Sequence, residues 1–388
     1  MRDLNQLAAK KESVPGTAEV PTSAEILVRL REGSSPDIAV DFTETQEIQE
    51  SSSNRPSMSG PARFGANVSW ILRPSIVPAT TPPSCGLLLE MGLLKQEAVK
   101  QQPIGTVTGG PFRDGELLTG TTSAKIGRVF RPTSSTPIKF TDVTGASGYT
   151  NGETITGGTS GATAAISSGT VTYRGYKYQL TDSDFVGASD SKHHATVEFL
   201  RGGYQWIGRG CLGEIGMEFK NLLPTVIKSA IKGILQSTSD KAMYNLASYP
   251  GDGISEPRFV NASLAIASYS PTDLVEMNLA IPIGLELRED ANATTGVRFV
   301  DYDRRGSPPI LTFEPAMMSK ATYDLFASLT GGTTFAVTWM LGTAFQFFAD
   351  ECQLVSVGIG SRRSLATAPI QVRLCGRTNN DFQMWAIG

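Results

Sequence analysis

Few residues of this chain have the types and spacing that catalysis needs. Its only histidines are His193 and His194. Adjacent strand positions point to opposite faces, so the pair cannot converge on one metal ion and reads as an exposed strand start. Asp301 and Asp303 stand two apart, which on a strand puts both carboxylates on one face, as a general acid and base would require. Arg304 and Arg305 follow at once, so a solvated charge cluster or a salt bridge to another subunit accounts for them better. Gly157-Gly158-Thr159-Ser160-Gly161 has the glycine density of a phosphate-cradling loop, but the Lys-Ser/Thr ending and the following helix are missing. Arg362-Arg363 could touch a phosphate, although two arginines in a loop are ordinarily solvated. Cys85, Cys211, Cys352 and Cys375 show no close spacing and suggest neither a zinc site nor a disulfide framework; they read as reduced core thiols. With no G-x-S-x-G elbow and no Cys-His constellation, the expectation is a protein that is not an enzyme and needs no cofactor or metal.

The bulk composition points the same way. A chain of 388 residues, 40% hydrophobic and 18% charged, has room for two or three domains with sizeable cores. Its 40 glycines, with many threonines and serines, tilt the reading toward turns and strands, in a mainly β or α+β protein. A net charge of −3 offers no basic footprint for tight nucleic-acid binding, so contact with DNA would be passive. No apolar core of signal-peptide length opens the sequence. The longest apolar run, 335–349, is short of the roughly 20 residues of a membrane span and reads as two buried strands.

The elements that would position any site are organised around 195–223, a long hairpin. Val197 and Phe199 alternate with Thr196, Glu198 and Leu200, Gly202-Gly203 offers the turn, and Tyr204 and Trp206 resume the period of two. Cys211, Gly213, Ile215, Met217 and Phe219 then share a core face, with Leu212, Glu214, Gly216 and Glu218 opposite. Strands this long expose edges that invite pairing with another chain. Residues 1–22 are polar and read as an arm or disordered tail ordered by a neighbour. A first domain over 23–104 and 181–250 includes a strand at 24–30, a polar hairpin arm or exposed edge at 44–50, and a strand at 63–73. A Pro-rich crossing follows, then a greasy helix over 85–95 capped by Ser84. Residues 226–235 suit a helix slightly better than a strand. The Gly/Thr-rich segment 105–180 reads as an inserted β module, because Gly115–Ser123 aligns without gaps on Gly152–Ser160 at an offset of 37. A boundary falls at 249–253, and 251–388 forms a second domain with strands, a helix over 316–329 and a closing sheet. Both halves share an order of strands, one short helix, then paired strands, compatible with duplication of a β-sandwich-plus-helix domain.

Gly203-Tyr204-Gln205-Trp206-Ile207-Gly208-Arg209-Gly210, running into Gly213-Glu214-Ile215-Gly216-Met217-Glu218-Phe219, is similar to the inner hairpin of major tail tube proteins of long, non-contractile-tailed bacteriophages. The proline-rich crossing into Cys85-Gly86-Leu87-Leu88-Leu89-Glu90-Met91-Gly92-Leu93 resembles that family's short helix, and Gly152 to Thr163 resembles a β module of phage structural proteins. The resemblance spans most of 60–388 through hydrophobic and glycine patterns. It implies β-sandwich or barrel tube domains, each with a flanking helix. Rings of three chains (pseudo-sixfold) or six would stack into a hollow conduit for DNA ejection in the tail of a virion made in the host bacterial cytoplasm. It further implies a tape measure protein, a tail terminator and tail-tip proteins as partners. DNA would pass without specific binding along an acidic lumen, with Glu214 and Glu218 as candidates to face it. The alternative is a β-rich decoration or ligand-binding protein of a virus particle surface.

Overall fold

The computed structural model describes residues 5–43, 58–73, 83, 85–113, 115–130, 134, 136–144, 148–180, 193–246, 249, 256–266, 269–302, 308–341, 345–376 and 382–386. The first half contains β1 (Asn5–Lys11), a 3-10 turn at Ser23–Glu25, β2 (Ile26–Val28), β3 (Ser35–Thr43), β4 (Met58–Ile71), α1 (Gly86–Met91) and β5 (Leu94–Gln102). The glycine-rich segment holds β6 (Leu117–Gly120), β7 (Ile126–Val129), β8 (Ile138–Thr144), β9 (Thr154–Gly157) and β10 (Thr163–Ala165). β11 (Thr172–Leu180), β12 (Ala195–Arg201), β13 (Tyr204–Lys220) and β14 (Val226–Asp240) complete that half. The second half runs through β15 (Ala265–Ile266), β16 (Glu276–Ile281), β17 (Leu285–Glu289), β18 (Val297–Tyr302), β19 (Ile310–Phe313) and α2 (Leu325–Thr330). It ends with β20 (Thr334–Leu341), β21 (Phe345–Val357), β22 (Gly360–Arg362), β23 (Leu365–Thr367), β24 (Ile370–Cys375) and β25 (Gln383–Ala386). The protein is mainly β, as its composition indicates.

The β12–β13 hairpin forms as the alternation predicts, turning at Gly202-Gly203 with φ of +59° and +89°. β13 has two neighbours along one edge: β12 along its first part and β16 along Ile215–Lys220. β14 follows the other edge, with the register shifting between Arg209 and Leu212. Two glycines allow the bend. Gly210 sits at φ +58°, and a Cβ on Gly208 would lie 2.3 Å from the Phe64 ring, so no larger residue fits there without displacing a core aromatic.

One antiparallel sheet runs β3–β4–β14–β13–β16–β19–β24–β21 across both halves. Phe64, Trp70, Ile227, Met217, Leu279 and Val372 are among the buried residues of its core face. The core is continuous between halves: Phe219 of β13 lies with ring centroids 5.6 Å from Trp339 and 6.2 Å from Phe345. Trp339 stacks on Phe347 at 3.6 Å, and Phe347 on Phe382 at 5.3 Å. Each such side chain contributes about 1.5–3 kcal/mol by leaving water, so residues 251–388 share the stability of the first half. A second ladder, β5–β11–β25–β21, joins the halves again. The boundary expected at 249–253 is therefore bridged twice by strand pairing; residues 250–253 lie outside the described residues.

Six elements of each half share one connectivity. β3, β4, α1, β12, β13 and β14 pair as β3–β4–β14–β13 with β12 on β13. In the same way β16, β19, α2, β20, β21 and β24 pair as β16–β19–β24–β21 with β20 on β21. The duplicated order read from the sequence is thus present in the strand pairings.

Four expectations change. Residues 5–11 are no disordered tail: Leu7, Ala8 and Ala9 are buried where β1 pairs with β12 and β2 of its own chain. Residues 226–235 are strand, because the apolar positions also satisfy a period of two and β13 and β4 offer a ladder on either side. The helix placed over 316–329 shortens to α2. Ala316 and Met317 instead donate backbone hydrogen bonds to Thr272 and Ala366, and Asp324 caps the helix through Ala327 N at 2.9 Å. The helix over 85–95 is likewise only Gly86–Met91, with Cys85 at its N-cap; Ser84, and the hairpin arm at 44–50, lie outside the described residues.

The glycine-rich segment has its own small core, including Phe112, Leu118, Phe140 and Ile155. β11 belongs to the host, paired to β5 from Thr172↔Gln101 onward, so the module closes near residue 171 rather than 180.

Candidate assembly surface

The second face of the long sheet gathers the residues singled out on the hairpin. Glu214 and Glu218 lie on it, half-buried, opposite Ala230 and Val226 of β14. The Lys228 ammonium pairs with the Glu218 carboxylate, and Lys220 approaches it at 3.9 Å. Strand register adds Asp37, Glu276 and Glu351 to this face, and also Arg63, Lys232 and Arg373. Among the described residues the face is therefore mixed in charge. The acidic surface implied by the family resemblance is not what surrounds Glu214 and Glu218. The alternation along β13 places these two correctly, but lysines contributed by β14 are invisible to a reading of β13 alone.

The candidates for chemistry are not brought together. His193 and His194 are buried rather than exposed: His193 Nδ1 is 3.1 Å from the Glu90 carbonyl oxygen, and His194 Nε2 is 2.7 Å from that of Val300. Burial is decided by α1 and β18 folding over the start of β12, which local polarity does not reveal. Asp301 pairs across to Arg288 at 3.7 Å on the surface; Asp303, Arg304 and Arg305 lie outside the described residues. Arg362 is held to backbone, donating to the carbonyls of Glu314 at 3.2 Å and of Asp273. Cys85, Cys211 and Cys352 are buried free thiols, and Cys375 is partly exposed. Burial pushes Cys85 up to about 12, which keeps it an inert thiol at neutral pH. No cluster of three His, Cys, Asp or Glu suited to a metal ion occurs among the described residues.

The loop with phosphate-like glycine density does hold an anion, supplied by the protein. Glu116 accepts hydrogen bonds from the backbone N–H of Thr159 (3.1 Å), Ser160 (2.8 Å) and Arg113 (2.6 Å) and from the Ser160 hydroxyl (2.8 Å). Glu153, its counterpart in the repeat, accepts from the N–H of Thr122 (3.1 Å), Ser123 (2.9 Å) and Thr150 and from the Ser123 hydroxyl (2.9 Å). Each repeat's glutamate thus fills the turn of the other, and β6 pairs with β9 about a local twofold through Thr119 and Thr156. Burial pushes both carboxyls up, but the bonds from Ser160 and Arg113, and from Ser123 and Thr150, outweigh it and leave both below the usual carboxylate range.

What the motifs did not reveal are the two ends of the sheet. Among the described residues β3 pairs only with β4, and Val40 and Phe42 on it are exposed. Among the described residues, 354–357 of β21 pair only with β24, with Val355 exposed and Ile359 just beyond. The apolar alternation Ile38, Val40, Phe42 was the available signal for the first edge. No helix among the described residues is long and apolar enough to cross a membrane. No protein-family model matches the chain, and no curated protein matches it either.

Proposed function

We propose that this chain is the structural subunit of a bacteriophage tail tube, assembling into rings that stack into a conduit for DNA in the tail of the virion. The observation that carries the reading is the long antiparallel sheet, with one face buried in a core and the other polar, ending in two edges with no neighbour among the described residues. Edges of this kind invite pairing with another chain, and closure into a ring would cover both.

Its width favours three chains. Eight strands per chain, at a spacing of about 4.8 Å and a barrel tilt near 40°, close with three chains at a backbone diameter of about 48 Å, and with six at about twice that. Barrels of 16–18 strands already leave an aqueous channel, so the three-chain ring has room for a duplex. The polar face would line that channel, its lysines neutralised by interleaved carboxylates such as Glu218, so that phosphates find little net attraction while they slide. A tape measure protein inside the tube and terminator and tip proteins at its ends are the partners this role requires.

Native mass spectrometry with negative-stain imaging tests the reading. A species near three times 41.4 kDa, about 124 kDa, with hollow tubes after concentration is expected. A species near 248 kDa would keep the tube and change the ring. A chain that stays monomeric at every concentration would overturn the reading in favour of a decoration or ligand-binding protein.

A further inference from the structure

We infer that the glycine-rich module is a hinged arm, held against the host by a latch on the last strand of the chain, with Trp385 of β25 as the closing side chain. The two bodies have separate cores: Phe112, Leu118, Phe140 and Ile155 belong to the module's, Phe382 and Met384 to the host's. The pivot lies where the chain enters and leaves the module. There β8 extends the host sheet by pairing with β5 from Val99↔Thr141 to Gln102↔Ile138. The buried Gln102 side chain donates to the carbonyls of Tyr149 (2.8 Å) and Ser168 (3.0 Å) and accepts from the Tyr149 N–H (3.0 Å). The latch reaches two strands farther across the host sheet, to β25, where Val99, Phe130 and Trp385 form a small apolar cluster of their own. The module's Phe130 meets the indole edge-on at 5.0 Å, and its Lys139 ammonium stands 4.7 Å from the indole centroid.

Three features make this joint the one that opens first. The latch cluster has three buried members where the module core has eleven among the described residues, so it gives way before either core. Trp385 is 3% exposed, yet its Nε1 has no hydrogen-bond partner among the described residues, and opening returns that stranded donor to water. Lys177, opposite Trp385 in the β11–β25 register and so on the same face, has a side chain only 3% exposed and pairs with Glu97 at 2.7 Å. A buried ion pair regains hydration when its site is wetted. Against these, the apolar contact and the cation over the indole favour closure. β25 itself stays in place, laddered to β11 and β21 with Met384 in the host core. The module therefore swings as one body, and its swing uncovers Trp385 and Lys177.

Trp385→Ala and Phe130→Ala cut the latch from opposite sides. Spin labels on the exposed positions Thr119→Cys in the module and Ser237→Cys in the host, in a Cys375→Ser background, read the arm's angle as a dipolar distance. The parent should give one narrow distribution, and each variant one at least twice as wide. Acetylation of Lys177 by acetic anhydride, followed by mass spectrometry, should rise at least tenfold in both variants, with the exposed Lys228 as the control that does not change. Hydrogen exchange across β6 and β9 should match the parent's, because the module's own core is untouched. A parent already broad, variants as narrow as the parent, unchanged protection of Lys177, or faster exchange across β6 and β9 would each overturn the latch. Should Trp385→Ala fail to fold, Phe130→Ala decides the case, since that ring lies outside both larger cores.

Discussion

Substituting Glu116 by glutamine keeps the shape of the side chain and replaces one carboxylate oxygen by an NH2 group. Oε1 receives the Arg113 N–H and the Ser160 hydroxyl, and Oε2 receives the N–H groups of Thr159 and Ser160. Whichever oxygen is replaced, two donors lose their acceptor and face another donor. At about 1–1.5 kcal/mol for each bond, the cost to the module is about 2–3 kcal/mol. The local twofold makes a sharper claim than the magnitude. Glu116→Gln should loosen the turn at 157–161 in the other repeat, and Glu153→Gln the turn at 120–124, at costs within about 1 kcal/mol of each other. Hydrogen exchange resolved by peptide reads this directly, with β13 and β14 as the internal control that should not change. Faster exchange confined to the substituted glutamate's own repeat, or a loss below about 0.5 kcal/mol in both variants, would refute the reciprocal capping.

The same carboxylates set the acid response. Their folded pKa values lie below the unfolded value, so the stability they contribute is complete above an unfolded pKa of about 4.3 and is lost as pH falls through the folded values; module amides should lose protection below about pH 4, before those of the host core. Joining Gln102 to Thr172 by a short turn should leave the host folded, because β5 and β11 are already neighbours at Gln101↔Thr172; loss of cooperative melting in this deletion would refute the module boundary. Gly208→Ala drives a methyl into the Phe64 ring and should cost about 1–3 kcal/mol by denaturant titration. Glu218→Gln removes an ion pair whose lysine is more than half exposed, and should change folding stability by less than about 1 kcal/mol.

The duplicated repeat, the hairpin at 195–223 and the mainly β character were legible because they rest on local signals: an alignment at a fixed offset, a period of two, and a glycine turn. The face carrying Glu214 and Glu218 was legible for the same reason. Its charge balance was not, because Lys228 and Lys232 reach it only through the register of β14 on β13. Whether 226–235 would be helix or strand was undecidable from apolar spacing that suits both periods; the neighbouring β4 and β13 decided it by supplying hydrogen-bond partners on either side. Burial of His193 and His194 depends on α1 and β18, each about 100 residues away from one of them. Likewise β1 reads as a polar tail until β12 pairs with it. What the chain alone determined were the elements and their repetition. What only the tertiary structure decided was that the two halves are joined in one sheet, because strand pairing is non-local and the energy of closing a sheet edge belongs to whichever distant strand arrives there.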